Sequence, residues 1–455
     1  MELNGKNVAI IGIGKTGIAT ADFLYKKGAS MTCFDQKPLY GIDNLNTLKS
    51  WNAKIIDNWD GKHVGKFDYV IVSPGVPMSL EGITEARTKS IEVISEIELA
   101  CRFTDKKIIG ITGTNGKSTT VTVAGQILNN AGIKTGVGGN IGTPFIELID
   151  HDQGYGLYLL ELSSYQLEGI ITFRPWISVL LNITEDHLDR YGNMNEYAQA
   201  KFRIFMNQSQ SDYAIINAED VITVKSRHKI RAKTYSFSIN KRNRRGAYYN
   251  NNKIIYVDGS ENKSEFTVKN PSLNGVHNIQ NTMAGIIIAR LLDVQDESIQ
   301  STLDKFKGLS HRIELVSEIN KIKYYDDSKA TNVDSVRVAL KSFAEPVILI
   351  MGGRDKGGDY SPLSELIKNR VKLLIVMGEA KENILNTFRG MVDYIVVQNM
   401  EEAVNKSYEH ARAGDVVLLS PACSSFDMFR DYKQRGDVFK EAVLKLTKEN
   451  AHEGI

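Results

Sequence analysis

The segment GITGTNGKSTT (residues 110–120) brings Gly113, Thr114, Asn115, Gly116, Lys117, Ser118 and Thr119 into one loop between an apolar run and a helix-forming run. A strand, glycine loop and helix in that order present successive backbone N–H groups, one ammonium and hydroxyls at the positive end of a helix. That is the chemistry needed to hold a triphosphate and its magnesium ion. The spacing departs from G-x-x-x-x-G-K-[ST] by one place, because Ile111 stands where that pattern needs glycine and Gly110 comes one residue early. Loop, lysine and helix together still predict an ATP site.

Other clusters surround it. Glu161 ends the apolar strand LYLLE and precedes Ser163, Ser164 and Gln166; an acid at a strand end beside a phosphate loop suits a magnesium ligand, although strand termini also carry solvated acids. The stretch 181–205 places Glu185, Asp186, His187, Asp189 and Arg190 after a strand and Lys201 on a helix. His187 could orient a phosphate or ligate a metal, and Lys201 could contact phosphate or lay its stem along an apolar face. Asn278 and Asn281 could read an adenine edge or brace their helix. Arg312 offers a fork matched to phosphate oxygens. DDSKATN (326–332) delivers Asp327, Lys329 and Thr331 from a strand end. Arg354 and Lys356 could receive a carboxylate, and Ser425 and Phe426 stand where a helix is expected to begin. The basic run KRNRRG (241–246) lacks stacking aromatics and reads as a solvated loop.

Near the N-terminus, Gly12, Gly14 and Gly17 form G-x-G-x-x-G, and Asp35 follows at the end of the next strand. The glycines aim a helix N-terminus at a phosphate, and the acid could hold a ribose hydroxyl. Taken alone, the pattern is open to NAD or FAD, another nucleotide-bearing ligand, or a structural turn.

The elements that must position these groups alternate strand and helix. Strands are expected at 8–12, 30–35 and 68–75, and the first doubly wound unit should close near Glu96 with a linking helix. The second block has strands at 106–112, 157–163, 176–183 and 212–219, with antiparallel hairpins over 234–270. A third has five, at 322–328, 346–353, 371–378, 394–398 and 415–421. The fold class is therefore α/β in three domains, 1–96, 97–308 and 309–455. Rossmann-like N- and C-terminal domains flank a P-loop ATPase-like centre that carries a small antiparallel segment. The 455 residues carry 56 Lys plus Arg against 54 Asp plus Glu, a net +2 that argues against a general nucleic-acid surface. Three scattered cysteines exclude a disulfide framework. No apolar run approaches membrane-spanning length, so a cytoplasmic protein without stable membrane insertion is expected.

The combination resembles the ATP-dependent Mur ligases of peptidoglycan precursor synthesis, in particular their D-glutamate-adding branch. GTNGKST, ELSSYQLE, LNITEDHLDRY, HNIQN and HRIE carry the general likeness. GIGKTG, SPG (73–75), GGNIG (138–142), DDSKATN and SPACSSFDMFRDYKQRG carry the branch. The resemblance implies a monomer that uses ATP and magnesium to add D-glutamate to UDP-N-acetylmuramoyl-L-alanine through an acyl phosphate. It implies that Lys117 holds the β and γ phosphates, and that Ser118, Glu161, His187 and Lys201 belong to the metal region, Lys201 as a carbamate that has lost its charge. Asn278, Asn281, Arg312 and Asp327 would face the nucleotide. Thr16, Asp35, Gln36, Lys37, Ser73, Pro74, Gly75 and Asn140 would hold the UDP substrate, the first glycine motif facing uridine diphosphate and not NAD. Lys329, Thr331, Lys356, Ser425 and Phe426 would receive D-glutamate. GKTG and DQK depart from the commoner GLTG and DTR; Lys37 keeps a cation but loses an arginine fork.

Overall fold

The computed structural model describes all residues except 39–44, 187–189, 261–262, 274, 355–358 and 453–455. It has two compact units, one of residues 1–183 and 190–305, the other of 184–189 and 306–455.

The first unit holds two sheets. The N-terminal sheet is fully parallel, in the spatial order Lys54–Ile56, Ser30–Phe34, Asn7–Ile11, Tyr69–Val72, Glu92–Ser95. Side chains alternate faces along a strand. Ala9 and Ile11 therefore pack with Phe34, Val70, Val72 and Trp59, whereas Val8 and Ile10 join a core shared with Phe145 of the helix Phe145–Asp150 and with Tyr158 and Leu160 of the central sheet. Burial on both faces is why these strands read as unbroken apolar runs. Two strands, Lys54–Ile56 and Glu92–Ser95, are present beyond those expected, and the linking helix runs over Glu96–Cys101.

That helix carries two buried acids. Burial alone would raise the Glu98 carboxyl, but the Thr172 hydroxyl and the N–H groups of Ile171, Thr172 and Phe173 bring it below the usual range. Glu96 accepts from the first turn of the helix Phe145–Asp150 (2.6 Å to Ile146 N), and burial pushes its carboxyl up to about 7.

The central sheet has nine strands. From Thr135–Gly139 it runs through Leu157–Glu161, Lys107–Thr112, Ile177–Leu180, Tyr213–Asn217, Lys233–Ser238 and Gly246–Asn250, all parallel. It ends on antiparallel Lys253–Val257 and Lys263–Thr267. The hairpins expected over 234–270 are thus confined to its last part. Lys233–Ser238 pairs in parallel on both sides, since its neighbour Tyr213–Asn217 returns through a helical crossover.

The second unit is one six-stranded sheet in the order Glu314–Ile319, Ile322–Asp326, Val416–Leu419, Val347–Gly352, Val371–Met377, Tyr394–Val396. All five expected strands are present. The sixth, Glu314–Ile319, pairs antiparallel at the edge and reads polar, apolar, apolar, polar, polar, apolar, so it has neither an unbroken apolar run nor a clean alternation. Val347, Leu349 and Met351 fill one face of this sheet, Ile348 and Ile350 the other.

Candidate functional site

The loop after Lys107–Thr112 emerges where the strand order reverses, between Leu157–Glu161 on one side and Ile177–Leu180 on the other. Ligand clefts of open α/β sheets form at such points. Gly116 closes the loop in a left-handed conformation (φ 85°) and starts the helix Lys117–Asn130. A Cβ there would lie 2.2 Å from the Asn281 side chain, so Asn281 is packed directly on the loop. Asn182 braces the other side. Its side chain accepts from the Asn115 N–H (2.9 Å) and donates to the Asn115 carbonyl (3.1 Å), while its own carbonyl accepts from Thr114 N.

Lys117 folds back to donate to the carbonyls of Gly113 (2.8 Å) and Thr114 (2.7 Å). Lys201, 2% exposed on the helix Met194–Phe202, donates to the same Gly113 carbonyl at 2.9 Å, with its ammonium 4.6 Å from the Tyr197 ring centre. Two cations meeting at one oxygen repel each other, and burial weakens the screening. Ser118 and Thr119 are buried at the start of the helix, and Ser118 Oγ donates to Glu161 Oε2 at 2.7 Å. The other oxygen of Glu161 accepts from Asn140 Nδ2 at 2.9 Å. Glu161 is placed for both by its register, paired with Ile111 on one side and Gly139 on the other.

Asn140 also belongs to a second cavity, about 650 Å³, between the N-terminal and central sheets. All eight residues expected to hold a UDP substrate line it: Thr16, Asp35, Gln36, Lys37, Ser73, Pro74, Gly75 and Asn140. Asp35 braces the wall, one oxygen accepting from Ile13 N (2.8 Å) and the other from Lys37 N (2.9 Å). Ser73 Oγ donates to the Gly12 carbonyl at 2.8 Å, locking the glycine turn (φ 91° at Gly12).

Asn278 and Asn281, one turn apart on Val276–Arg290, have different surroundings: Asn281 is buried on the phosphate loop, and Asn278 reaches 3.5 Å toward the Ser272 carbonyl.

In the second unit Asp327 is fully buried, and burial pushes its carboxyl up to about 7 against the opposing pull of Arg312, 3.8 Å away, and of the Ser420 hydroxyl. Lys329 places its ammonium 5.4 Å from the Tyr432 ring centre, and Thr331 is half-buried. Ser425 is buried, but Phe426, expected with it among the residues receiving D-glutamate, is 62% exposed. The helix expected to begin there starts at Tyr432, because residues 421–431 form a turn stapled by the Ser425 carbonyl to Met428 and Phe429 N–H. Arg435 was the larger omission. It is 1% exposed and donates to the Ser328 hydroxyl and carbonyl and to the Cys423 carbonyl, tying DDSKATN to the SPACSS turn. Arg435 and Asn182 both stand inside motifs that carry the family likeness, SPACSSFDMFRDYKQRG and LNITEDHLDRY. His187 and Lys356 lie outside the described residues.

Three consecutive matches cover these sheets. Residues 6–95 match the Mur ligase MurD-like N-terminal domain, 111–289 the Mur ligase middle domain, and 311–423 the Mur ligase glutamate ligase domain. A UDP-N-acetylmuramoylalanine--D-glutamate ligase of Geotalea uraniireducens is 44% identical over 98% of this chain and 99% of its own length. The chain belongs to the Mur ligase family. Ligases of the same name from Geobacter metallireducens (42% identical, 98% and 99% covered) and Pelotomaculum thermopropionicum (39%, 97% and 98%) resemble it over the same span. At the level of fold, this Mur ligase is similar to a pseudomurein peptide ligase type C from Methanothermus fervidus (TM-score 0.62, 18% identical, 97% and 100% covered). UDP-N-acetylmuramate-alanine ligase from Thermotoga maritima is also similar (TM-score 0.61, 18% identical, 97% and 99% covered). The chain thus has the three-domain Mur ligase fold and is a family enzyme of peptidoglycan precursor synthesis. Among the described residues, no helix is long and apolar enough to cross a membrane.

Proposed function

We propose that this Mur ligase joins D-glutamate to UDP-N-acetylmuramoyl-L-alanine, converting ATP to ADP and phosphate. One observation carries the reading. Glu161 is bonded at one oxygen by Ser118 of the phosphate loop and at the other by Asn140 of the second cavity, so a phosphate donor in the loop and a carboxylate in the cavity would meet at this residue. The activity for which the relatives are named supplies the identity of the two substrates.

The substrate carboxylate attacks the γ-phosphorus and ADP leaves. The amine of D-glutamate then attacks the acyl carbon, and collapse of the tetrahedral intermediate expels phosphate and leaves an amide. Lys117 and the N–H groups opening Lys117–Asn130 stabilise charge on the phosphate oxygens. Glu161 and Ser118 offer the hard oxygen donors that magnesium prefers, and the ion, when bound, offsets charge on the transferring group. Carbamylation of Lys201 removes one of the two positive charges converging on Gly113 and puts oxygens in its place. Asn281 and Asn182 keep the loop in shape. In the second unit, we assign Lys329, Thr331 and the turn around Ser425 to the amino-acid carboxylates, since cations and hydroxyls suit a small dicarboxylate.

Incubation with ATP, magnesium, UDP-N-acetylmuramoyl-L-alanine and an equimolar mixture of D-glutamate, L-glutamate, L-alanine and meso-diaminopimelate tests both chemistry and choice. The D-glutamyl amide should dominate, with one ADP per amide. ADP without amide would sink the ligase assignment, and a different amide would sink only the specificity.

A further inference from the structure

Arg190 and Tyr191 close the motif LNITEDHLDRY, and neither has a part in the chemistry assigned above. Both side chains reach the short helix Ser164–Glu168, which follows closely on Glu161. Arg190 Nη2 donates to Glu168 Oε2 at 2.8 Å, and the guanidinium lies 4.3 Å from the Tyr165 ring centre. The Tyr191 hydroxyl donates to the other oxygen, Glu168 Oε1, at 2.5 Å. Only 12% of the arginine side chain and 17% of the glutamate side chain are exposed, so solvent screens the pair little. The same Nη2 also donates to the Val76 carbonyl at 2.9 Å. Val76 closes a turn by donating its N–H to the Ser73 carbonyl, and the whole turn lines the 650 Å³ cavity. In the other direction the Tyr191 and Tyr197 ring centres are 5.3 Å apart. The Tyr197 hydroxyl lies 3.2 Å from Thr114 Oγ1 on the phosphate loop, and the Lys201 ammonium faces its ring. Arg190 thus fastens a wall of the substrate cavity to the framework that supports the phosphate loop. A lysine would suffice to pair with Glu168; a planar fork is needed where one group stacks on a ring and bonds two acceptors at once.

We propose that Arg190 is a positioning residue for phosphoryl transfer, a clamp that sets the substrate cavity against the phosphate loop through the Val76 carbonyl and the helix Ser164–Glu168. This inference rests on the reading that a carboxylate in the cavity meets ATP held in the loop. Other side chains build each site, so each ligand binds alone with or without the clamp. What the clamp adds is alignment of the two reacting atoms, where a misplacement of about 1 Å costs roughly a hundredfold in rate. Lost alignment lowers kcat and kcat/KM together and leaves KM in place. A phosphoryl group whose acceptor is misplaced is also open to water, so ADP and phosphate form in excess over amide.

The test compares the full-length protein with R190K, R190M and the double variant E168Q/R190M, which removes the carboxylate charge that R190M strands. In R190M, kcat for amide formation should fall roughly a hundredfold while KM for the UDP substrate and for ATP stays within about threefold. ADP per amide should rise above one, and calorimetric affinities for UDP and ATP should match wild type. R190K keeps the charge but not the fork, so its kcat should remain at least about tenfold below wild type. If R190M does not fold, the double variant takes its place with the same expectations. Wild-type kcat with one ADP per amide in R190M would overturn the proposal. So would full recovery in R190K, which would reduce Arg190 to a charge partner of Glu168, or a loss of UDP affinity as large as the loss in kcat, which would make it a support of the cavity alone. Wild type that forms no amide would instead remove the reading beneath the proposal, so the two failures are distinguishable.

Discussion

Replacing Glu96 by glutamine should stabilise the first compact unit at alkaline pH and leave it unchanged at acidic pH. The Glu96 side chain is fully buried, and one of its oxygens accepts from Ile146 N while the other has no hydrogen-bond partner among the described residues. Burial raises its carboxyl from 4.5 to about 7, with the Ile146 and Phe145 amides opposing. An acid whose folded value lies above its unfolded one loses stability as pH rises between the two, here from about 4.5 to about 7, and carries the full penalty above. At pH 8 that penalty is about 3 kcal/mol. Glutamine keeps the acceptor facing Ile146 and carries no charge, but it leaves an amide NH₂ unpartnered at roughly 1 kcal/mol. The net gain is ~2 kcal/mol at pH 8, fading to near zero at pH 5, where wild-type Glu96 is already protonated in the folded state. Trp51, Trp59 and Trp176 are the protein's three tryptophans and all belong to this unit, so fluorescence-monitored urea unfolding reports on it specifically. E96Q should move the midpoint upward at pH 8 and coincide with wild type at pH 5. An E96Q protein destabilised equally at both pH values would refute the reasoning, because it would show that Glu96 is charged and well solvated or engaged by donors in the folded state.

Gly116→Ala puts a side chain at φ 85° and 2.2 Å from the Asn281 side chain; left-handed strain adds roughly 1–2 kcal/mol, and the loop should lose at least tenfold in affinity for ATP by calorimetry, whereas unchanged affinity would mean the loop does not hold nucleotide. Lys201→Ala removes the buried side chain at Gly113 and with it the nitrogen to which we assign the carbamate. Amide formation should fall by two orders of magnitude or more and recover in part with added short-chain carboxylic acid, and full activity at ordinary magnesium concentration would dismiss the carbamate.

Much of this protein was written locally. The parallel strands are continuous apolar runs because both faces are buried, and the phosphate loop is a contiguous segment whose glycines, lysine and hydroxyls are dictated by backbone conformation and charge. Both survive in the sequence as short patterns, and so did the two motifs that drew Asn140 and Arg312 into view. What lay beyond reach depends on residues far apart in the chain. Nothing around Asn281 shows that its side chain fills the space over Gly116, 165 positions away, nor around Arg435 that it is buried beneath Ser328. The edge strand Glu314–Ile319 has no apolar signature because only one of its neighbours is a strand. Lys233–Ser238 looked like half of a hairpin because strand propensity carries no information on direction; the helical crossover before it decided that it runs parallel. Glu161 was recognisable as an acid at a strand end, but only sheet register, which aligns it with Ile111 and Gly139 at once, makes it the meeting point of the phosphate loop and the substrate cavity. Local sequence fixes conformation and polarity within a few residues, whereas register and packing are settled by the burial of faces that form only when distant segments meet.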